Sequence, residues 1–313
     1  MTKLSFTVRI VVLLTLTIGL ASLANAQAPR TWVSGVGDDI NPCSRTAPCK
    51  TFAGAISKTA KDGEIDCLDP GGFGAVTLNK SVYINGTHGA GFGGILSSST
   101  TAIIINIVDV NDIRKAVRIR SLDINGQSTG TNGITILGAN NVWIEDTVID
   151  GTTGNGSTTG IGVRVSTSAS CTVNISDTVI HKNVTGLRVT TTSGFAVANV
   201  RNCNFEGNTT GVEASTNGFV SIKDSRIASN TGDGVKASGS GATINIAESI
   251  VAHNNGTGLN ASIGGATIRA ISNQIVNNGT AYGLTGSVKT DGQNKVDGNG
   301  LNNAPNGGLI TIN

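Results

Sequence analysis

The sequence predicts an all-β chain, a single-domain right-handed parallel β-helix with a short amino-terminal capping helix, and three observations predict it. Asn183, Asn208, Asn230, Asn254 and Asn278 recur at intervals of 25, 22, 24 and 24 residues, each inside the same local pattern. The composition is rich in small and β-branched residues, with 43 Gly in 313 residues, only 5 Pro and 1 Met, and 4% aromatics. The apolar residues alternate over runs of three to five residues before Asn, Asp, Gly or Ser ends them, which is the period of short half-buried strands. A core with so few large side chains has to be built from regular stacks of Val and Ile.

In chain order, Lys3 and Arg9 precede an apolar run from Ile10 to Leu20, and Ala24-Asn25-Ala26 puts small residues where a signal peptidase reads. Residues 1–26 are therefore expected to be a secretory signal peptide. The apolar run is too short to cross a ~30 Å hydrocarbon layer as a helix. The mature chain, from Gln27, is expected to be secreted and without an integral membrane segment. Its formal charge of +2, with 13% charged residues, gives no nucleic-acid footprint.

Residues 27–62 read as a leading loop and the capping helix, and 63–313 as the coil. In TFAGAISKTA (51–60), Phe52, Ala55, Ile56 and Thr59 share one helical face, Asp62-Gly63 reads as a stop, and EIDCL (64–68) as the first strand. Five cysteines are present. Cys43 and Cys49 flank a Pro-containing loop, so a disulfide between them, or from one of them to Cys67, is expected in an exported chain. Cys171 and Cys203 fall at small or buried positions of the repeat and read as core packing; no pair has zinc spacing.

The repeat itself runs through VNISDTVIHKNVTGLRV (173–189), ANVRNCNFEGNTTGVEA (198–214), VSIKDSRIASNTGDGVKA (220–237), INIAESIVAHNNGTGLNA (244–261) and IRAISNQIVNNGTAYGL (268–284). Each copy is an apolar-x-apolar pair, a polar turn, an apolar residue, Asn, then Gly and a second apolar-x-apolar pair. A coil that turns three times and returns to stack ~4.8 Å above itself accounts for this order. Asn at the tight corner tolerates the left-handed backbone region, and stacked amides can bond as a ladder. The frame continues upstream through VRIRSLDING (117–126) and VWIEDTVIDG (142–151), with GTTGNGSTTG (151–160) leaving the coil as a loop. KVDGNG (295–300) and LITIN (309–313) read as degenerate last coils, and the back end is closed either by the irregular 285–308 segment or by oligomerisation.

TWVSGVGDDINPCSRTAPCKTFAGAI (31–56) and DGEIDCLDPGGFGAV (62–76) resemble the leading segment of secreted bacterial β-helix proteins of the pectate-lyase-like superfamily. The resemblance implies a right-handed coil and a polysaccharide as ligand class. NVWIED (141–146) is similar to a lyase motif whose Trp-containing strand ends in Asp-His, but here the two positions are Glu145 and Asp146. The polygalacturonase-like pattern of carboxylates on consecutive coils is absent, and Asp38-Asp39 reads as a turn or cap.

Aligning the coils yields the candidate sites. Asp150, His181 and Glu206 fall at one position of consecutive coils, and an acid, an imidazole and an acid can do general acid–base work. Asp146, Asp177, Asn202, Asp224 and Glu248 line a corner, where Asp146, Asp177 and Asp224 are candidate calcium ligands and, equally, turn residues bonding local backbone. Trp143, Glu145, Asp146, Arg164 and Arg188 are candidate ligand-binding residues. No cofactor is required, with Ca2+ the one exception considered. The leading reading is a secreted, non-catalytic protein that binds carbohydrate or serves the cell surface. The alternatives are a polysaccharide lyase or glycoside hydrolase acting on an acidic polymer, and a structural or adhesive module. An enzyme should gather carboxylates and a base; a binder should expose aromatics along one face.

Overall fold

The computed structural model describes residues 27–86, 93–154 and 156–310, so the signal-peptide reading over 1–26 and the last three residues of the 309–313 segment lie outside it. The chain winds through three parallel sheets in turn, with 11, 10 and 9 strands among the described residues. One coil shows the plan: Cys171–Ser176 lies in the first sheet, Val179–His181 in the second and Thr185–Thr191 in the third. The next coil repeats it in register, with Val173 opposite Ala198, Ile180 opposite Phe205 and Leu187 opposite Val212.

Alternation decides which residues meet inside. In Cys171–Ser176, Val173 and Ile175 are buried while Thr172 and Asn174 face outward. The second sheet has strands so short that one residue per coil points inward, giving the stack Ile149, Ile180, Phe205, Ile227, Val251 and Ile275. All six are fully buried.

The corner between the second and third sheets holds the asparagines. Asn183 donates its side-chain amide to Asn208 at 3.2 Å, Asn208 to Asn230 at 3.2 Å, Asn230 to Asn254 at 2.8 Å, Asn254 to Asn278 at 2.8 Å and Asn278 to Asn299 at 2.9 Å. The left-handed residue at this corner is not the asparagine but its predecessor: Lys182, Ser229, His253 and Asn277 have φ of 55 to 56°, and Gly151, Gly207 and Gly298 take the same place. The asparagine keeps ordinary backbone angles and turns inward. The glycine that follows it in the repeat is required by space, since a Cβ on Gly211 would stand 2.6 Å from Ile227 Cγ2 and 3.1 Å from the Asn230 amide nitrogen.

The corner between the first and second sheets is built alike. Asp146, Asp177, Asn202, Asp224 and Glu248 all have φ between 47 and 53°. The next residue in each coil, Thr147, Thr178, Cys203, Ser225 and Ser249, is buried, and Asn273 continues the series. Backbone N–H groups of Cys203, Ser225 and Ser249 donate to the side chains of Ser225, Ser249 and Asn273 at 3.2, 3.2 and 3.0 Å, a second ladder of mixed residue types. Cys203 stands in it as a serine would, with its thiol 3.2 Å from the Arg201 carbonyl.

At the front the strand pattern begins earlier than the sequence suggests. Ala28–Val33 pairs in parallel with Thr59–Cys67, so the strand read as 64–68 starts at Thr59 and Asp62-Gly63 lies within it rather than ending a helix. The helix is Phe52–Lys58, started by Thr51, whose hydroxyl accepts from the Gly54 N–H. Asp39 holds that start, accepting from the N–H groups of Lys50 and Thr51 at 2.8 and 2.9 Å. Cys43 is bonded to Cys49, with Cα atoms 4.6 Å apart, while Cys67 is free and buried. At the back, asparagine side chains pair with the last strands. Asn303 both accepts from the Tyr282 N–H and donates to its carbonyl, at 3.0 and 2.7 Å, and Asn306 accepts from Val288 N–H at 2.9 Å.

Candidate functional site

The outward face of the first sheet holds three of the four Trp and Tyr side chains. Tyr83, Arg118 and Trp143 are opposite one another in consecutive coils, and the column continues as Asn174, Asn199, Ser221 and Asn245. Trp32 stands in the neighbouring column, above Asp66. Tyr83, Trp143 and Trp32 are each half-buried. Arg118 lies between the two rings and donates to Glu145 at 3.0 and 2.6 Å. Arg114 donates to the Tyr83 hydroxyl at 3.2 Å. In the amide part of the column, Asn199 donates to Asn174 at 3.1 Å. The strip therefore offers flat apolar rings followed by amide donors and acceptors, a combination suited to a sugar's apolar face and its hydroxyls.

The acid–imidazole column lies on the second sheet. Asn125, Asp150, His181, Glu206 and Ala228 are register partners on consecutive coils. Glu206 is engaged by Arg226 at 3.0 Å. A further carboxylate joins the other end: burial, and then the charge of Asp150, push the Asp123 carboxyl above its ordinary range, while His181 pulls it down. Asp123 thus lies within reach of the charges of Asp150 and His181 on the following coils, with Glu206 tied to a cation beyond them.

Each side chain of the acidic corner has a partner of its own. Asp146 accepts from the Ser121 hydroxyl at 2.7 Å, Asp177 from the Asn202 amide at 2.7 Å, and Asp224 and Glu248 lie 3.6 and 3.4 Å from Arg201 and Lys223. Beside it runs an open groove of about 590 Å³ lined by Asp177, Asn202, Asp224, Arg226, Glu248 and Ile250. Asp146, Asp177 and Asp224 sit on different coils, and each carboxylate turns to a partner of its own, Ser121, Asn202 and Arg201. Among the described residues no three His, Cys, Asp or Glu side chains group as a metal site.

Arg164 and Arg188 stand elsewhere, opposite one another on the third sheet. Arg188 is bound to Glu213 at 2.6 Å. The ligand-binding candidates therefore divide, with Trp143, Glu145 and Asp146 on the first sheet and its edge and the two arginines on another face. His253 occupies a left-handed corner, 3.3 Å from the Asn277 amide.

The profile described as "Right handed beta helix region" matches residues 132–301, more than half of the sequence. The chain belongs to this family of right-handed β-helix proteins. Among solved structures, the β-helix is similar to pectate lyase Pel9A, with 16% identity over 90% of this chain and 80% of that one and a TM-score of 0.53. It is also similar to the A-module of the Azotobacter vinelandii mannuronan C-5 epimerase AlgE4, with 12% identity, 80% and 89% coverage and a TM-score of 0.44. The GH136 lacto-N-biosidase from Eubacterium ramulus follows, with 10% identity, 90% and 66% coverage and a TM-score of 0.38. Comparison with curated proteins finds no match. None of the helices among the described residues is long and apolar enough to cross a membrane.

Three features of these surfaces escaped the sequence reading. Asp123 is two residues out of step with Asp150 and becomes its neighbour only diagonally, across paired strands. Tyr83 lies in a coil without the asparagine frame, so its place opposite Arg118 was not readable from the repeat. The Arg226–Glu206 pair joins adjacent columns and needed the register of both.

Proposed function

We propose that this β-helix is an exported, non-catalytic carbohydrate-binding protein that holds a polysaccharide along the outward face of its first sheet, at the cell surface or beyond. One observation carries the reading: three of the chain's four Trp and Tyr residues, Trp32, Tyr83 and Trp143, face outward on that one sheet. In a protein with 4% aromatics, this grouping supplies the platforms that sugar rings stack on. The fold shared with a pectate lyase makes pectate the first polymer to test. The short helix Phe52–Lys58, with Phe52, Ala55 and Ile56 buried, is the cap of the amino-terminal end in this reading.

The test is titration of the purified chain with pectate and with neutral polysaccharides, followed by tryptophan fluorescence and calorimetry. Trp143→Ala should weaken binding by about tenfold, equivalent to ~1.4 kcal/mol, with an unchanged circular dichroism spectrum. Binding by the wild type that Trp143→Ala and Trp32→Ala leave intact rules this face out.

A lyase or hydrolase is the second reading, favoured by the register of Asp150 with His181 and by the raised Asp123 carboxyl beside them. Two carboxyls whose surroundings differ, one of them raised by burial, are a starting point for acid–base chemistry. Release of unsaturated or reducing ends from any polymer, abolished by His181→Ala, would select it over the binding reading.

A further inference from the structure

We propose that the third sheet carries an oxyanion site, formed by Thr135, Arg164, Ser166 and Arg188, that takes the carboxylate or sulfate group of an acidic sugar. Thr135 and Arg164 are register partners on adjacent coils, and Arg164 and Arg188 are partners on the next pair. Three consecutive outward positions thus present a hydroxyl and two guanidinium groups, stepped by about one strand spacing.

Thr135 is only 5% exposed, and among the described residues its hydroxyl has no hydrogen-bond partner. A buried hydroxyl without a partner costs free energy and calls for an explanation. Its register neighbours are Ile104 on one side and Arg164 on the other, an apolar chain and a group that only donates. What this place lacks is an acceptor.

Arg164 supplies the second half of the argument. It is half-buried and donates to the Ser166 hydroxyl at 3.2 Å. No carboxylate lies within 4.0 Å of it among the described residues, whereas Arg188 has Glu213 at 2.6 Å and the carbonyl of Ser157 besides. Burial, and then the neighbouring charge of Arg188, lower the pKa of Arg164 from its ordinary value. Two adjacent cations beside one carboxylate, which Arg188 alone engages, leave a net positive charge in a partly desolvated place. An oxyanion seated between Thr135 and Arg164 would accept from both, give the orphan hydroxyl its acceptor and neutralise that charge.

This site lies on a different sheet from the aromatic strip and does not rest on it, so either can fail alone. The experiment uses the full chain labelled with nitrogen-15 and follows the arginine Nε–Hε signals, with the Arg164 signal identified from its absence in Arg164→Gln. The probes are a galacturonic acid trimer, a sulfated galactose and a neutral galactose trimer. Either charged probe, and not the neutral one, should shift the Arg164 signal, and the one that does so names the source of the anion. By calorimetry, Arg164→Gln should lose about tenfold in affinity for that probe and Thr135→Val severalfold, while Thr135→Val melts no lower than wild type. The site is refuted by an Arg164 signal that neither charged probe moves, by an equal response to the neutral trimer, or by wild-type affinity in both variants.

Discussion

Asn230 and Asn254 are 24 residues apart in sequence, yet the amide nitrogen of the first lies 2.8 Å from the side-chain oxygen of the second. Each such asparagine also accepts from the backbone of the one before it, as Asn230 does from Asn208 N–H at 3.0 Å, and donates to a carbonyl inside the coil, here Phe205 at 3.3 Å. One side chain therefore satisfies groups on the coils to either side of its own, all of them buried.

Asn230→Ala takes the side-chain partner from the Asn208 N–H and the Phe205 carbonyl and removes one of two donors to the Asn254 oxygen, which keeps the residue 230 N–H. The expected loss is about 2–4 kcal/mol, because two buried backbone groups lose this partner. A shift of the urea midpoint measures it. A midpoint unchanged from wild type would mean that the amide column contributes no stability.

Gly211→Ala should destabilise by about 1–3 kcal/mol, since the new methyl would meet Ile227 and the Asn230 amide and has no room to retreat. Gly264→Ala is the matched control: nothing lies within 4 Å of its Cβ position, and the change should stay within about 0.5 kcal/mol. Thermal melts of the two variants side by side check the contrast.

The parts of the fold that the sequence disclosed are those where one residue type is indispensable. Asparagine alone can donate and accept along the ladder at Asn183 through Asn278, and glycine alone fits beside it, so both letters persist and mark the period. The second ladder stayed hidden because Thr178, Cys203, Ser225, Ser249 and Asn273 all accept a backbone N–H or pack in its place, and no single letter returns. Ala28–Val33 was missed for another reason: it precedes the helix and has a sheet partner on one side only. The column of Asp150, His181 and Glu206 was legible because register follows from the asparagines. What those side chains face across columns was not, since Asp123 and Arg226 belong to a different phase of the strands.

The three free thiols should be silent in the native protein and make it sensitive to alkali. Burial raises all three, Cys203 to about 11 and Cys171 to about 12, with Cys67 raised further still by burial and by Asp66 and Asp69. Above the ordinary thiol value of 9.0 the unfolded chain loses these protons and the folded one keeps them. Stability then falls as pH rises, by up to about 1.4 kcal/mol per pH unit for each thiol, until the folded groups ionise too. Ellman's reagent should find no reactive thiol in the folded chain at neutral pH and the three free cysteines after denaturation. Cys203→Ser should label at the two remaining positions, keep the ladder hydrogen bond to Arg201 and weaken the alkaline loss.

At the acid end the decisive group is Asp112, which is 1% exposed. It accepts from the N–H and hydroxyl of Ser81 at 2.5 and 2.6 Å and from Lys115 N–H at 2.9 Å, fastening the 107–115 connection to the first sheet. Burial by itself raises this carboxyl, but the hydrogen bonds from Ser81 and Lys115 and the charge of Lys61 outweigh it and hold the group below its ordinary value of 3.8. A depressed folded value means that the stabilisation is fully present above the unfolded pKa and drains away as pH falls through the folded one. Wild type should therefore lose melting temperature below about pH 4, in step with protonation of this carboxylate. Asp112→Asn keeps the shape but surrenders the charge, so it should cost about 1–3 kcal/mol at neutral pH and flatten the acid limb. Parallel melting curves for wild type and variant from neutral to acid pH would show the two converging as the solution is acidified, and curves that stay a constant distance apart would take Asp112 out of the acid transition.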